Sequence, residues 1–185
     1  MDDVSADPAS VVRYDVAWPR LFAELGRTLR RELGSTAVRI DHIGSTAVPS
    51  LYAKPIIDVQ VSVASLEPVS AYLPALERCG FLWRRDNPDR MKRYFRERPG
   101  DRRTHVHVRR AGSFSEQVAL LFRDYLRRNP EWAARYGAEK RRLAHLLQTN
   151  REAYVAAKDP FIWQTLREAD GWAQSVGWEP GASDA

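Results

Sequence analysis

Hydrophobic positions change period several times along the chain, and each change marks an element. Behind Trp18-Pro19, the residues Leu21, Phe22, Leu25, Leu29 and Leu33 recur at helical spacing, which predicts a helix over Pro19–Leu33. Gly34-Ser35 ends it. Val38–Ile43 alternates as a strand, and Gly44–Leu51 reads as a turn with a short helical piece. Pro55–Val63 is the clearest strand. It sets Ile57, Val59, Val61 and Val63 on one face and Ile56, Asp58, Gln60 and Ser62 on the other. A carboxylate and an amide thus project from one side of an otherwise apolar strand.

Glu67–Cys79 carries a second helical pattern with Val69, Tyr72, Leu73 and Leu76 inward, and Gly80 ends it. Phe81–Arg85 and Lys92–Glu97 predict short strands around the polar turn Asn87-Pro88-Asp89. Arg102–Arg110 alternates again, with Thr104, Val106 and Val108 opposite Arg103, His105, His107 and Arg109. Phe114–Arg128, Pro130–Gln148 and Asn150–Val176 are helical in period. The order predicts one α+β or α/β domain over 13–176, mixed α and β over 13–110 and helical over 114–176. Loose tails are expected at 1–12 and 177–185.

Composition narrows the class. The 185 residues are 44% hydrophobic, enough to build a core, and the length fits one domain. A lone Cys79 excludes an intrachain disulfide and any multi-thiolate zinc site. No apolar run approaches the roughly 20 residues that a membrane span needs. The first ten residues are acidic and polar, the reverse of a signal peptide, so the expectation is a soluble cytoplasmic protein.

The formal net charge of +5 is unevenly placed. Arg84–Arg110 holds eleven basic residues against four acids, which leaves the remainder slightly acidic. Ten of the eleven are arginine, whose guanidinium forks onto phosphates and carboxylates. A solvated charged hairpin would show the same composition. Nucleic-acid binding is disfavoured, because few stacking aromatics interleave these arginines and no nucleic-acid motif is present.

The chemistry concentrates in His42-Ile-Gly-Ser-Thr-Ala-Val-Pro-Ser-Leu51 and Lys54-Pro-Ile-Ile-Asp-Val59. A strand ends in Gly44-Ser45, a short helix follows, and the next strand presents an acid. Small residues after a strand let backbone N–H groups approach a phosphate, and Ser45 and Thr46 add hydroxyls. A helix cap would use the same residues. A carboxylate such as Asp58 can hold a divalent metal against that phosphate.

This arrangement resembles the nucleotidyltransferase superfamily, with its Gly-Ser turn and acidic pair on the following strand. HIGSTAVPSLYAKPIIDVQVSV resembles more closely the signature of the GrpB family, which is related to that superfamily. Thr104-His-Val-His-Val108, Leu121–Leu126, Tyr154-Val-Ala-Ala-Lys158 and Phe161-Ile162 extend the resemblance over about residues 12–175. It implies a nucleotidyltransferase-like mixed sheet flanked by helices. Members occur alone or fused to dephospho-CoA kinase as an accessory domain.

The chain departs from the superfamily pattern where it matters chemically. The second acid is replaced by Gln60, and the strand that should bear the third carries His105 and His107. Imidazole is a poor ligand for magnesium and a good one for manganese or softer transition metals. Asp58, His105 and His107 are therefore expected as a two-histidine, one-carboxylate metal site, or as a general base with its orienting groups. Gly44, Ser45, Thr46, His42, Lys54, Gln60, Lys92, Arg96, Arg103, Arg109 and Lys158 are the candidates for holding a small anionic or phosphorylated ligand, a nucleotide included. Metal-dependent nucleotidyl transfer is one expected function. A non-catalytic accessory domain with a degenerate site is the other. The sequence does not separate monomer from homodimer.

Overall fold

The computed structural model describes residues 10–185, and the N-terminal expectation for residues 1–9 lies outside that range. Five strands form one mixed sheet: β1 (Arg39–Ile43), β2 (Ile57–Val63), β3 (Phe81–Trp83), β4 (Lys92–Glu97) and β5 (Thr104–Arg110). Their spatial order is β1-β2-β5-β4-β3. β2 and β5 run parallel, and the other neighbours are antiparallel. This is the expected mixed sheet with a helical C-terminal third.

Helices cover the two faces for different reasons. The amphipathic helix α1 (Trp18–Leu33) buries Trp18, Phe22, Leu29 and Leu33 against Ile57, Val59, Val61 and Val63 of β2. That apolar face, joined by Leu76 of α2 (Leu73–Arg78), is the main core. Pro19 sits in the first turn of α1, where its missing N–H costs nothing. The predicted helix over Glu67–Cys79 is shorter than expected. A 3-10 turn covers Val69–Ala71, and α2 restarts at Leu73 with Pro74 in its first turn. Pro74 cannot donate backward and crowds the preceding carbonyls, so one continuous helix is excluded.

The other face meets α3 (Phe114–Arg128), α4 (Pro130–Leu143) and α5 (Arg151–Val176). Ser113 caps α3 and Asn150 caps α5, each accepting from a backbone N–H three residues on. A second apolar cluster of Val48, Leu51, Tyr125, Leu126, Tyr136 and Ala169 ties these helices to the segment after the Gly-Ser turn.

The C-terminal segment corrects the sequence reading. Residues 177–185 are not frayed. Ile40 N–H donates to the Ser183 hydroxyl, His42 N–H to the Asp184 carboxylate, and Ala185 N–H to the Ile40 carbonyl. β1 is an edge strand, and this segment satisfies the backbone groups that an edge leaves open. Arg123 reinforces it, donating to Asp184 at 2.8 Å and to the His42 carbonyl at 3.1 Å.

Candidate functional site

Register decides which side chains meet. Asp58 of β2 lies opposite His105 of the parallel β5, and Gln60 lies opposite His107. Residues so paired share a face, which sets Asp58, His105 and His107 together on the side covered by α3–α5. His105 Nδ1 lies 3.2 Å from Asp58 Oδ1, and His107 Nε2 lies 3.4 Å from the same oxygen. One ligand atom from each of the three falls within 4.8 Å of the others. Burial pushes the Asp58 carboxyl up, but the hydrogen bonds from His105 and His107 outweigh it and hold the group well below the usual carboxylate range. Burial depresses His107 to about 4, against the pull of Asp58, so its imidazole is neutral at pH 7.

The Gly-Ser turn is pressed onto this carboxylate. Gly44 has φ +70° and ψ −170°, a region that is essentially glycine's alone. A Cβ there would stand 2.6 Å from Asp58 Oδ2. The following Ser45–Ala47 is a single 3-10 turn, too short to supply a helix-dipole site of its own. The hydroxyls of the turn are committed to neighbours. Ser45 Oγ accepts from Lys140 Nζ at 2.8 Å. Thr46 Oγ1 donates to the Ile56 carbonyl at 3.0 Å.

Beside the turn lies a cavity of about 200 Å³ walled by Ser45, Thr46, Asp58, His105, Tyr136 and Tyr154 and by four cationic side chains. The cations are Lys54, Lys140, Arg151 and Lys158. Lys140 is only 3% exposed, yet among the described residues no carboxylate lies within ion-pair distance of it. Burial and the neighbouring Lys158 drive its ammonium well below the usual lysine range, against the opposing pull of Asp58. Lys158 is lowered to about 8, by burial first and then by Lys54. Lys54 is lowered as well, by burial and then by Arg151. These cations crowd one another around one space, which an anion entering it would relieve.

Of the sequence candidates, Asp58, His105, Ser45, Thr46, Lys54 and Lys158 line this cavity, and His107 stands beside it. Gly44 shapes the turn. The others have different work. His42 pairs with Val59 in the β1–β2 register, so it points to the α1 face. There it stacks on Phe22 at 4.7 Å and meets Thr46 Oγ1 at 3.0 Å. The Thr46 proton goes to Ile56, so His42 Nε2 carries the proton and donates. Gln60 is fully buried, accepting from Arg109 and donating to the Glu116 carbonyl at 3.4 Å. It is a strut between β2, β5 and α3.

The basic block does not supply the cavity's charge. Arg103 and Arg96 both pair with Glu97, Arg93 pairs with Glu67 at 2.6 Å, and Lys92 pairs with Asp89 at 3.3 Å. Arg109 alone of the sequence-predicted arginines lines a space beside Gly44 and Asp58, and that space is a different one. Lys140 and Arg151, with Tyr136 beside them, line the cavity and were not among the sequence candidates. Arg151 falls on the helix face of Tyr154 and Lys158 by spacing, which was a usable signal. Lys140 lies within Glu139-Lys-Arg-Arg142, where nothing distinguishes it from a solvated helix face.

The GrpB protein family matches this chain over residues 8–168. A crystal structure of conserved protein GrpB from Enterococcus faecalis superposes with a TM-score of 0.78 at 37% identity, covering 86% of this chain and 96% of that one. UPF0157 protein YqkA of Bacillus subtilis is 33% identical over 162 residues, 88% of this chain and 47% of the relative. A dephospho-CoA kinase of Mycolicibacterium paratuberculosis is 31% identical over 204 residues, 96% of this chain and 50% of the kinase. The chain thus spans about half the length of these two relatives. No helix among the described residues is long and apolar enough to cross a membrane.

Proposed function

The chain belongs to the GrpB family, and we propose that it binds a phosphorylated small molecule in the cavity walled by Lys54, Lys140, Arg151 and Lys158. A divalent transition metal at Asp58, His105 and His107 completes the site. The observation that carries the reading is Lys140, a buried lysine without a carboxylate partner, aimed into a space shared with three more cations. Burying an ammonium without a counter-charge is costly, and a bound anion removes that cost.

The donor set fits a metal. Two imidazole nitrogens and one carboxylate oxygen are a recognised combination for manganese, iron or zinc. Ligand atoms on one ion at about 2.1 Å, with angles near 90–109°, stand about 3.0–3.4 Å apart. The Asp58–His105 and Asp58–His107 separations of 3.2 and 3.4 Å match that spacing. When bound, the metal would polarise a phosphoryl oxygen next to the cations. Asp58 is ionised and His107 neutral at pH 7, so a metal at His107 Nε2 would require only that the proton shared with Asp58 move to the other ring nitrogen. Metal-assisted transfer of a nucleotidyl or related phosphoryl group is the chemistry this pairing suits.

A second reading, a non-catalytic accessory domain, is favoured by Gln60. It occupies the place of the superfamily's second acid and is held by Arg109 and α3, which leaves Asp58 as the one carboxylate of that pair. The partial overlap with dephospho-CoA kinase agrees with it.

Calorimetric titration with inorganic pyrophosphate, with and without Mn²⁺, tests the reading. We expect saturable binding that Lys140→Met weakens at least tenfold and that Asp58→Asn uncouples from Mn²⁺. Binding equal in the parent and both variants overturns it. Turnover of nucleoside triphosphates by the parent separates the enzyme from the accessory domain.

A further inference from the structure

Asp58 stands in the wall between two cavities of opposite character. On the side of His105 lies the cationic space described above. On the side of His107 lies a second space of about 320 Å³. Each cavity takes one of the two histidines, and both take Asp58.

The second cavity is apolar. Beside Ala119, the large side chains Ile43, Val118, Phe122, Ile162 and Leu166 line it, contributed by β1, α3 and α5. Four of the five are only partly buried, so the fold leaves them in contact with water. Arg109 lines it as well, with its guanidinium donating to Gln60. Among the described residues, no carboxylate other than Asp58 lines it.

From this we infer that the apolar cavity is a second subsite, and that it holds an uncharged aryl or branched alkyl body whose reactive end meets Asp58 and His107. Size and surroundings select this occupant. A space of 320 Å³ is at the lower end of small-molecule pockets, too small for a helix of a partner protein. Because both cavities have Asp58 in their walls, an apolar group here lies next to a phosphate there. A wall mostly of aliphatic and aromatic side chains gains from covering apolar surface. The same chemistry fits the apolar part of one phosphorylated ligand or a separate second molecule.

Benzyl phosphate and methyl phosphate carry the same charge and differ only in the apolar body, which makes them the probes. If one ligand spans both subsites, benzyl phosphate binds about tenfold or more tightly than methyl phosphate. Ala119→Phe, which fills the cavity, removes the difference and leaves methyl phosphate binding unchanged. If the body belongs to a separate molecule, the two esters bind alike, and benzyl alcohol binds to protein saturated with methyl phosphate until Ala119→Phe blocks it. Ile162→Ser, which opens the wall instead of filling it, must weaken the same signal and guards against misfolding of the first variant. Equal binding of the two esters, together with no binding of benzyl alcohol, overturns the inference. The inference rests on the phosphate reading for the ester comparison alone. If methyl phosphate fails to bind, that reading falls, while benzyl alcohol binding still reports on this subsite.

Discussion

The Lys140 ammonium donates to the Ser45 hydroxyl at 2.8 Å, joining the fourth helix to the turn after the first strand. The contact spans 95 residues of sequence and closes one side of the cationic cavity. It also buries an amine in a place where its charged form is unfavourable. Lys140→Met should therefore raise thermal stability by a few °C while it weakens anion binding. Differential scanning calorimetry beside the pyrophosphate titration reads both effects. A variant that loses stability and keeps its affinity would assign Lys140 a purely structural role.

Anion binding should take up protons. Lys140 and Lys158 both lie below their ordinary values in the free protein, and an anion beside them favours the charged forms. Calorimetric heats measured at pH 8 in buffers of different ionisation enthalpy should differ in the sense of proton uptake. Affinity should also fall as pH rises through about 8, where Lys158 loses its charge. A flat profile between pH 7 and 9.5 would remove Lys158 from the site.

Gly44→Ala should destabilise the fold. Its backbone conformation costs a non-glycine residue about 1–3 kcal/mol, and the new Cβ would stand 2.6 Å from Asp58 Oδ2. Urea denaturation measures the loss. Because the clash falls on Asp58 itself, metal affinity should drop in the folded fraction too.

His42 predicts an acid-sensitive core. Burial, with Arg127 adding, lowers it to about 4, below its value of about 6.5 in the unfolded chain. Between those values the unfolded chain binds the proton and the folded protein does not. The stabilisation is therefore present above pH 6.5 and is lost as pH falls toward 4, by about 3 kcal/mol for this shift. His42→Gln can keep a donor for Thr46 without titrating, so its unfolding free energy should vary less between pH 7 and 4.5. An unchanged slope would place the acid sensitivity elsewhere.

Strand alternation made half of this site legible in the sequence. A carboxylate in an apolar strand and His-Val-His in a second alternating run are strong local patterns, and parallel pairing of β2 with β5 brings them into contact. Three things were hidden because they are not local. His42 followed the same alternation but belongs with Val59 on the α1 face, which only the register reveals. The arginine block looked like the anion site, yet Glu97, Glu67 and Asp89 engage Arg103, Arg93 and Lys92. Lys140 became a site residue only when α4 packed onto the Gly-Ser turn. Polar, glycine-containing residues 177–185 read as loose because the open edge of β1 that they cover is far away in sequence.

A crystal structure of the protein grown with Mn²⁺ and pyrophosphate tests the central claim most directly. The account predicts an anomalous peak coordinated by Asp58, His105 Nδ1 and His107 Nε2, and a phosphate oxygen within about 3 Å of Lys140 Nζ. Phosphate density bound to the arginines of residues 84–110, with the cavity at Lys140 empty and no metal on Asp58, would contradict it.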